Sequence, residues 1–148
     1  MTQAFVDFKA LEIREPAKYA SSDSTITMAV AVPIEASWEW RCLLSTLDHL
    51  NWQIRNRKVS LKLLGGKFSI QSTKPVDIEY LGIHTAQKTI DLLSTFDVLY
   101  CPQKFDHTRR SKEATYLPTE LRYFLASGRP ILIHAPDYAL SSKLLLPK

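Results

Sequence analysis

The chain contains little cysteine and no metal-binding pattern. Its two cysteines, Cys42 and Cys101, lie in apolar stretches without a CxxC motif or a histidine cluster beside them. This placement is typical of reduced, buried thiols in a cytoplasmic protein. The four histidines are scattered singly, at His49, His84, His107 and His134. Such scatter argues against zinc binding, and we expect no metal site.

Long apolar runs are also absent. The longest stretches, such as Met28–Ile34, are far shorter than the ~20 residues that a membrane-spanning helix needs. The N-terminus has no basic segment followed by an apolar one, so no signal peptide is predicted. With 148 residues, 45% hydrophobic and 23% charged, the composition suits one globular domain that buries a core without disulfides or metals.

Charge of one sign is only slightly in excess. The net charge is +4 and the isoelectric point is about 9.1. Apart from a cluster near Arg109, the basic residues are dispersed, so we expect no nucleic-acid partner. The mild positive charge suits an anionic small ligand, or contact of the complete protein with an acidic membrane surface. A solvated surface is the simpler explanation.

Two nucleotide-binding motifs are missing. Neither GxGxxG nor GxxxxGK[ST] occurs, which argues against a dinucleotide oxidoreductase and a Walker-type NTPase, and we expect no cofactor. A phosphoacceptor domain of the receiver type needs acidic residues just after the first strand. Pro33 and Ile34 with the single Glu35 fit that requirement poorly.

From residue 25 onward, predicted strands alternate with predicted helices. The strands are Thr25–Val32, Lys58–Leu64, Val76–Leu81, Asp97–Cys101 and Pro130–Ala135. Helical spacing follows expected caps at Ser37 and Thr85, runs from Pro118 to Gly128, and resumes at Asp137. The alternation predicts a Rossmann-like α/β fold, a mostly parallel sheet with helices on both faces. Residues 1–24 are interpreted as a linker or N-terminal extension, and 25–148 as the domain, expected to be incomplete at its C-terminus.

One join in this pattern is short. Only about ten residues, from Lys67 to Val76, separate the second and third predicted strands. A parallel crossover usually needs a dozen or more. Either this crossover is abbreviated, or the two strands pair antiparallel.

The carboxyl ends of the predicted strands are where an open α/β sheet binds ligands. Gly65, Gly66 and Gly82 follow two of these strands, and glycine lets a backbone approach a ligand closely. Lys67 would add an ammonium group beside a phosphate. A simple turn after the strand is the alternative explanation.

The Pro102–Pro118 segment is a long predicted loop with no apparent structure of its own. Loops of that length are usually functional or disordered. Its basic residues are Lys104, His107, Arg109, Arg110 and Lys112. It leads into the predicted Pro118 helix, whose free amides and dipole would attract an anion. A mobile, solvated loop is the alternative.

The stretch Asp97–Pro136 carries a family resemblance. Asp97–Pro102, Leu117–Thr119 and Leu125–Pro130 fit the patterns "aDvlylP" and "fPtKllEYlasGrPvl.h.P". The stretch is thus similar to the nucleotide-sugar-binding domain of GT-B glycosyltransferases of group 1 (family 4-like), which build polysaccharides and glycolipids. Looser matches upstream, at Leu63–Gly66 and Tyr80–Gly82, extend the resemblance over roughly residues 25–148.

The resemblance implies one half of a two-domain enzyme that transfers a hexosyl group from a nucleoside diphosphate sugar. It implies that the loop and the helix start hold the diphosphate, while Arg109, Arg110 or Lys112 neutralises the leaving group. The implied donor-binding residues are Gly65, Gly66, Lys67, Gly82, Ile83, Arg109, Arg110, Tyr116, Leu117, Pro118, Thr119, Glu120 and Tyr123. No catalytic residue is assigned, because the acceptor domain would supply any general base.

The sequence departs from the family pattern at its acidic positions. Tyr123 stands where the family has a ribose-binding glutamate, and Thr115 where it has an upstream acid. Glu120 occupies the usual lysine position. We expect Glu120 to substitute in part for the glutamate, because it lies three residues away on a similar helix face, and Glu113 for the upstream acid.

The chain has no room for an acceptor domain, so we expect no catalysis by this chain alone. The implied partners are a nucleoside diphosphate or its sugar, the acceptor domain and, to cover exposed apolar surface, a second copy. The alternative is a non-catalytic remnant of the same fold that serves as an interaction module. Trp38, Trp40 and Trp52 are then the first candidates for contact, with Trp40 expected in the core.

Overall fold

A computed structural model of the chain describes residues 15, 24–31, 36–66, 70–106, 108 and 110–145, except for the side chains of residues 112 and 113. The predicted N-terminal linker therefore lies outside the described residues, apart from positions 15 and 24. The predicted ligand residues Lys67 and Arg109 lie outside them as well, as does His107.

The described residues form six strands and five helices in alternating order. The strands are β1 Thr25–Ala31, β2 Gln53–Ile54, β3 Arg57–Leu64, β4 Asp77–Gly82, β5 Val98–Pro102 and β6 Ile131–His134. The helices are α1 Ser37–His49, α2 Ala86–Leu93, α3 Arg110–Glu113, α4 Leu121–Ala126 and α5 Leu140–Leu145.

The strands form one mostly parallel sheet. Its path runs β2-β3-β1-β5-β6, and β4 also pairs with β3. All pairings are parallel except that of β2, which forms a short antiparallel hairpin with the amino end of β3. The parallel strands thus lie in the order β4-β3-β1-β5-β6. This arrangement confirms the predicted Rossmann-like α/β fold.

Both faces of the sheet are buried, because successive side chains of each strand point to opposite sides. One core packs under α1 and contains Met28, Val30, Trp40, Leu44, Leu47, Trp52, Val59, Leu61, Leu63 and Tyr100. The other packs under α2 and α4 and contains Ala29, Leu64, Leu93, Phe96, Leu99, Cys101, Leu121 and Phe124. The two faces explain why the strands read as nearly continuous apolar runs.

The connection between β3 and β4 is an abbreviated parallel crossover. β4 pairs parallel with β3, from Ser60 opposite Asp77 onward. The described part of the connection, residues 70–76, contains no helix, and its Ile70 and Val76 pack against the core under α1. The first of the two alternatives for this join is confirmed, and antiparallel pairing is wrong.

Asp48, in the last turn of α1, fastens this crossover to the helix. Its carboxylate accepts hydrogen bonds from Ser72 Oγ (2.6 Å), Thr73 N (2.7 Å), Thr73 Oγ1 (2.8 Å) and Trp52 Nε1 (2.6 Å). The hydrogen bonds, first that from Ser72, hold the pKa of Asp48 well below its usual range. The ionised carboxylate thus anchors to α1 a connection whose described part contains no helix.

Several helix ends differ from the sequence predictions. Ser37 is the first residue of α1 rather than its cap; the N-cap position is Ala36, without a side-chain cap among the described residues. Thr85 does occupy the N-cap position of α2, but its side chain makes no cap hydrogen bond there. Gly128 follows the C-cap Ser127 of α4 with φ 68°, which confirms the predicted end of that helix.

The long loop after β5 is partly structured. It contains the short helix α3, so the prediction of a loop without structure is wrong. The helix expected at Pro118 begins three residues later, at Leu121, whose N–H donates to the Pro118 carbonyl (3.1 Å). Pro118 therefore belongs to a turn before α4, which shortens that helix to six residues. Within the described residues, no helix is long and apolar enough to cross a membrane.

Candidate ligand-binding edge of the sheet

The parallel strands end along one edge of the sheet, and their order reverses there. The chain runs from β1 outward to β3 and β4, then crosses to β5 and β6 on the other side of β1. In such a sheet the ligand crevice lies where the order reverses, between the carboxyl ends of β1 and β5. The edge has two different parts: a glycine region at β3 and β4 (Gly65, Gly66, Gly82) and a Glu39 cluster at β1, β5 and β6 (Glu39, Tyr100, Phe105, His134).

The glycine region exposes backbone to open space. Gly65 and Gly82 have φ angles of 114° and 77°, which side chains rarely tolerate. The Gly65 N–H donates to the Gly82 carbonyl (2.8 Å), so the two strand ends are joined. A Cβ added at Gly66 or Gly82 would meet no atom within 4 Å. The next residue, Ile83, is 83% exposed. The region thus has room for a ligand directly against its backbone.

The turn before α4 reaches the same edge. Burial, and then the charge of Glu120, raises the pKa of the Cys101 thiol to about 12, which puts the Glu120 carboxylate near the end of β5. Pro118 is buried, whereas the side chains around it, Tyr116, Leu117 and Thr119, are exposed. The structure therefore brings the predicted 116–120 segment to the carboxyl edge. This segment carries the Glu120 carboxylate and is followed by α4, a helix of only six residues.

Tyr123, the residue in place of the family's glutamate, contacts Arg122 through both its ring and its hydroxyl. Arg122 lies over its ring, with Cζ 4.9 Å from the ring centroid, and Nη2 donates to the Tyr123 hydroxyl (3.3 Å). The ring also packs against the core under α4. The Nε of Arg122 is buried and has no hydrogen-bond partner within the described residues.

Arg110 lies at the β6 side of the edge rather than beside the glycines. Its guanidinium Cζ is 5.4 Å from the ring centroid of Tyr138, in the segment between β6 and α5. This contact fastens α3 to that segment. Among the basic residues of the predicted diphosphate site, Arg110 is thus joined to a different part of the edge from Gly65 and Gly82, while Lys67 and Arg109 lie outside the described residues.

The Glu39 cluster was missed by sequence reasoning. Glu39 lies in the first turn of α1 and is only 3% exposed. Its Oε1 accepts the backbone N–H of Phe105 (2.8 Å), which bridges the crevice from the start of α1 to the exit of β5. The Phe105 ring packs edge-on against His134, with centroids 5.4 Å apart. The Glu39 side chain therefore joins the start of α1 to the backbone at the exit of β5, where the strand order reverses.

The Tyr100 hydroxyl connects α1 to β6 and defines the tautomer of His134. It lies 3.2 Å from the Glu39 carbonyl oxygen and 2.8 Å from His134 Nδ1. A carbonyl can only accept, so the single hydroxyl proton goes to it and Nδ1 must carry the proton that it donates to the phenol oxygen. Burial, and then the charge of Glu39, raises the pKa of Tyr100, so this hydroxyl stays neutral.

Gln103 completes this part of the edge. It is 4% exposed; its backbone N–H donates to the His134 carbonyl (2.9 Å) and its Oε1 accepts from Ser141 Oγ (2.7 Å). The other end of its amide, Nε2, is buried without a hydrogen-bond partner in the described part of the chain. The position just after a strand end was the only signal in the sequence that could have marked Gln103 as a candidate.

A groove at the opposite, amino-terminal edge contains none of the predicted ligand residues. Its volume is about 320 Å³. It is lined by Asn51, Trp52, Gln53, Lys58, Val59, Pro75, Val76 and Asp77. Ligands of parallel α/β sheets bind beyond the carboxyl ends of the strands. Because Glu39 and Phe105 are hydrogen-bonded to each other at the β1–β5 position, we place the candidate site at the glycine region of the same edge.

The described residues at the carboxyl edge provide groups that can bind a ligand. The glycine region has backbone beside open space, the turn before α4 carries the Glu120 carboxylate near β5, and the Glu39 cluster has a buried carboxylate and an imidazole. Among the described residues, no group of three or more histidine, cysteine, aspartate or glutamate side chains could hold a metal ion. No protein-family model matches the sequence, and no curated protein shows significant similarity to it.

Proposed function

We propose that this chain binds the nucleoside diphosphate part of a nucleotide sugar at its glycine region, as the donor-binding half of a GT-B-type glycosyltransferase. One observation carries the proposal. Two neighbouring parallel strands end at left-handed glycines, Gly65 and Gly82, at the carboxyl edge of a Rossmann-like sheet, and a Cβ at Gly66 or Gly82 would point into open space. A phosphate can approach backbone amides closely only where no Cβ intervenes.

The turn before α4 supports the same assignment. Its Glu120 lies near the end of β5, and a carboxylate there suits hydrogen bonds donated by ribose hydroxyls. In the family that the sequence resembles, this segment and the glycines belong to one nucleotide site. The net charge of +4 favours an anionic ligand.

The proposal divides the reaction between two domains. This chain would hold the donor, and an acceptor domain would complete the cleft and supply any general base, so no catalytic residue is assigned here. A cytoplasmic enzyme of polysaccharide or glycolipid synthesis that touches a membrane surface in its complete form is part of the same proposal, as is a homodimer.

Titration calorimetry with UDP, GDP and their sugars tests the proposal. We expect a dissociation constant below about 1 mM for at least one of them. Gly66→Glu puts a negative charge into the open space and should weaken binding at least about tenfold. Gly66→Gln, the matched neutral variant, should change it by less than about threefold. No heat at millimolar ligand from folded protein, or equal effects of the two variants, would overturn the proposal.

A second candidate, a non-catalytic interaction module, is favoured by one exposed aromatic side chain. Trp40 and Trp52 are core residues, 3% and 4% exposed, whereas Trp38 in the first turn of α1 is 69% exposed. This candidate predicts self-association that Trp38→Ser weakens in sedimentation experiments, together with an absence of nucleotide binding. Nucleotide binding would thus give a calorimetric signal, whereas an interaction module would give a change in sedimentation.

A further inference from the structure

Glu39 makes an unusual contact for its place in a helix. It is the third residue of α1, after Ala36 at the N-cap position. A glutamate at this position commonly reaches back to the amide of its own N-cap residue. Here the carboxylate points across the crevice instead and accepts the N–H of Phe105 (2.8 Å), a residue 66 positions away. The carboxylate thus serves a tertiary contact and leaves its own helix start uncapped by a side chain.

The contact between Glu39 and Phe105 places a carboxylate in a buried position. Glu39 is 3% exposed, and within the described part of the chain it forms no ion pair. A buried carboxylate bonded to one neutral amide loses more hydration than that single bond returns. A glutamine at this position would hold Phe105 with the same geometry and without the charge. A charged group is therefore not required for the contact with Phe105.

Several side chains around Glu39 contact one another. The Glu39 carbonyl accepts from Tyr100, and Tyr100 in turn contacts His134, against which the Phe105 ring packs. Beside them, Gln103 is 4% exposed and has one end of its side-chain amide without a partner in the described residues. Four segments, from α1, β5, its exit and β6, thus meet around Glu39, whose carboxylate accepts the Phe105 N–H and whose backbone carbonyl accepts the Tyr100 hydroxyl.

We propose that the Glu39 carboxylate is an internal anion that occupies a phosphate position between β1 and β5. While it accepts the Phe105 amide, its charge and volume exclude a phosphate from the crevice. When it is removed, the Phe105 N–H becomes available to a phosphate oxygen. The proposed nucleotide function supplies the biological ligand for this inference, but the closure of the crevice by Glu39 stands on its own contacts.

The experiment uses inorganic pyrophosphate as the probe and three variants of the whole chain. Glu39→Ala removes the charge and frees the Phe105 amide; Glu39→Gln removes the charge and keeps the hydrogen bond. Asp137→Asn is the control, because Asp137 is an exposed acid just after β6 that makes none of the contacts described above. Calorimetry gives the pyrophosphate affinity, and hydrogen exchange followed by NMR gives the protection of the Phe105 amide.

We expect Glu39→Ala to lower the protection of the Phe105 amide at least about tenfold and to tighten pyrophosphate binding about tenfold. Glu39→Gln should keep the protection and tighten binding by a smaller factor, and Asp137→Asn should change binding by less than about twofold. If Glu39→Ala fails to fold, Glu39→Gln still tests the role of the charge.

Two results would overturn the inference: an unchanged pyrophosphate affinity in folded Glu39→Ala and Glu39→Gln, or equal tightening by Asp137→Asn. These results are separable from those for the nucleotide proposal. If pyrophosphate binds tighter to Glu39→Ala while UDP and GDP bind to no variant, the closure by Glu39 is supported and the nucleotide function is rejected. If UDP binds the wild type and Gly66→Glu weakens that binding, while Glu39→Ala leaves the pyrophosphate affinity unchanged, the nucleotide function is supported and the closure by Glu39 is rejected.

Discussion

Helix α1 carries a carboxylate in each of its end turns, and the fold uses them in opposite ways. Asp48, in the last turn, is half-exposed and accepts hydrogen bonds from Trp52, Ser72 and Thr73. Glu39, in the first turn, is 3% exposed, and among the described residues its carboxylate accepts a hydrogen bond from Phe105. At the amino-terminal edge of the sheet, the Asp48 carboxylate thus holds the β3–β4 crossover against α1. The carboxyl edge instead holds a buried carboxylate beside Gln103, whose side-chain Nε2 is buried without a partner in the described residues.

The largest expected effect is at the Asp48 end. Trp52→Ala removes a ring that is 4% exposed together with its hydrogen bond to Asp48. We expect a loss of about 3–5 kcal/mol in the free energy of unfolding, measured by urea denaturation. Trp52→Phe keeps most of the packing and should cost clearly less. Equal costs for the two variants would mean that the indole N–H, not the ring, carries the contribution.

The charge of Asp48 should give stability a dependence on pH. Its pKa in the folded chain lies below its ordinary value of 3.8, so the contribution is complete above that value and is lost as the pH falls below it. We expect Asp48→Asn to lower the melting temperature at pH 7 and to converge with the wild type under acidic conditions. Calorimetric melting of both proteins from pH 7 to pH 2 tests this; parallel pH profiles would contradict it.

At the Glu39 end, Tyr100→Phe should have a smaller effect. It leaves the Glu39 carbonyl and His134 Nδ1 without the hydroxyl that joins them, at a cost of about 1–2 kcal/mol in unfolding free energy. Nitrogen NMR of the wild type should find neutral His134 protonated at Nδ1, and the variant should lose this preference. A wild-type His134 protonated at Nε2 would contradict the hydrogen-bond directions assigned to the Glu39 cluster.

The smallest effect is expected in the glycine region. Gly82→Ala should cost about 1 kcal/mol, because φ 77° strains an alanine although a Cβ there meets nothing within 4 Å. Gly66→Ala is the matched control and should change stability by less than about half as much, since Gly66 has open space and no left-handed φ. Thermal melting of the two variants compares them, and equal losses would mean that conformation is not what Gly82 provides.

Sequence reasoning predicted the repeating units of the fold because each one is a local pattern. The strands at Thr25–Ala31 and Arg57–Leu64 are recognisable as apolar runs that only a doubly covered sheet can bury. Gly128 ends α4 as predicted because a left-handed C′ residue is a local requirement. The β2–β3 hairpin was missed because its turn residues, Arg55 and Asn56, adopt positive φ without the usual glycine.

The candidate site was predictable only in part. Gly65 and Gly82 were found because strand ends and glycines are visible in the sequence. Their mutual hydrogen bond and the open space at Gly82 are not visible there. Tyr123 was identified from the sequence as the residue that replaces the family's glutamate, and the structure adds that Arg122 lies over its ring. Arg110, grouped by sequence with the phosphate-binding residues, contacts Tyr138 instead, since a loop's path depends on what it packs against.

By itself, the sequence determined the alternation of strands and helices, the burial of both faces of the sheet and the glycines at two strand ends, because these follow from the periodicity and backbone freedom of neighbouring residues. Only the tertiary structure decided that β4 pairs parallel with β3 through a crossover fastened by Asp48. The same is true of the contact that carries Glu39 across the crevice to Phe105. Contacts between residues so far apart depend on how the chain closes on itself, which no local pattern encodes.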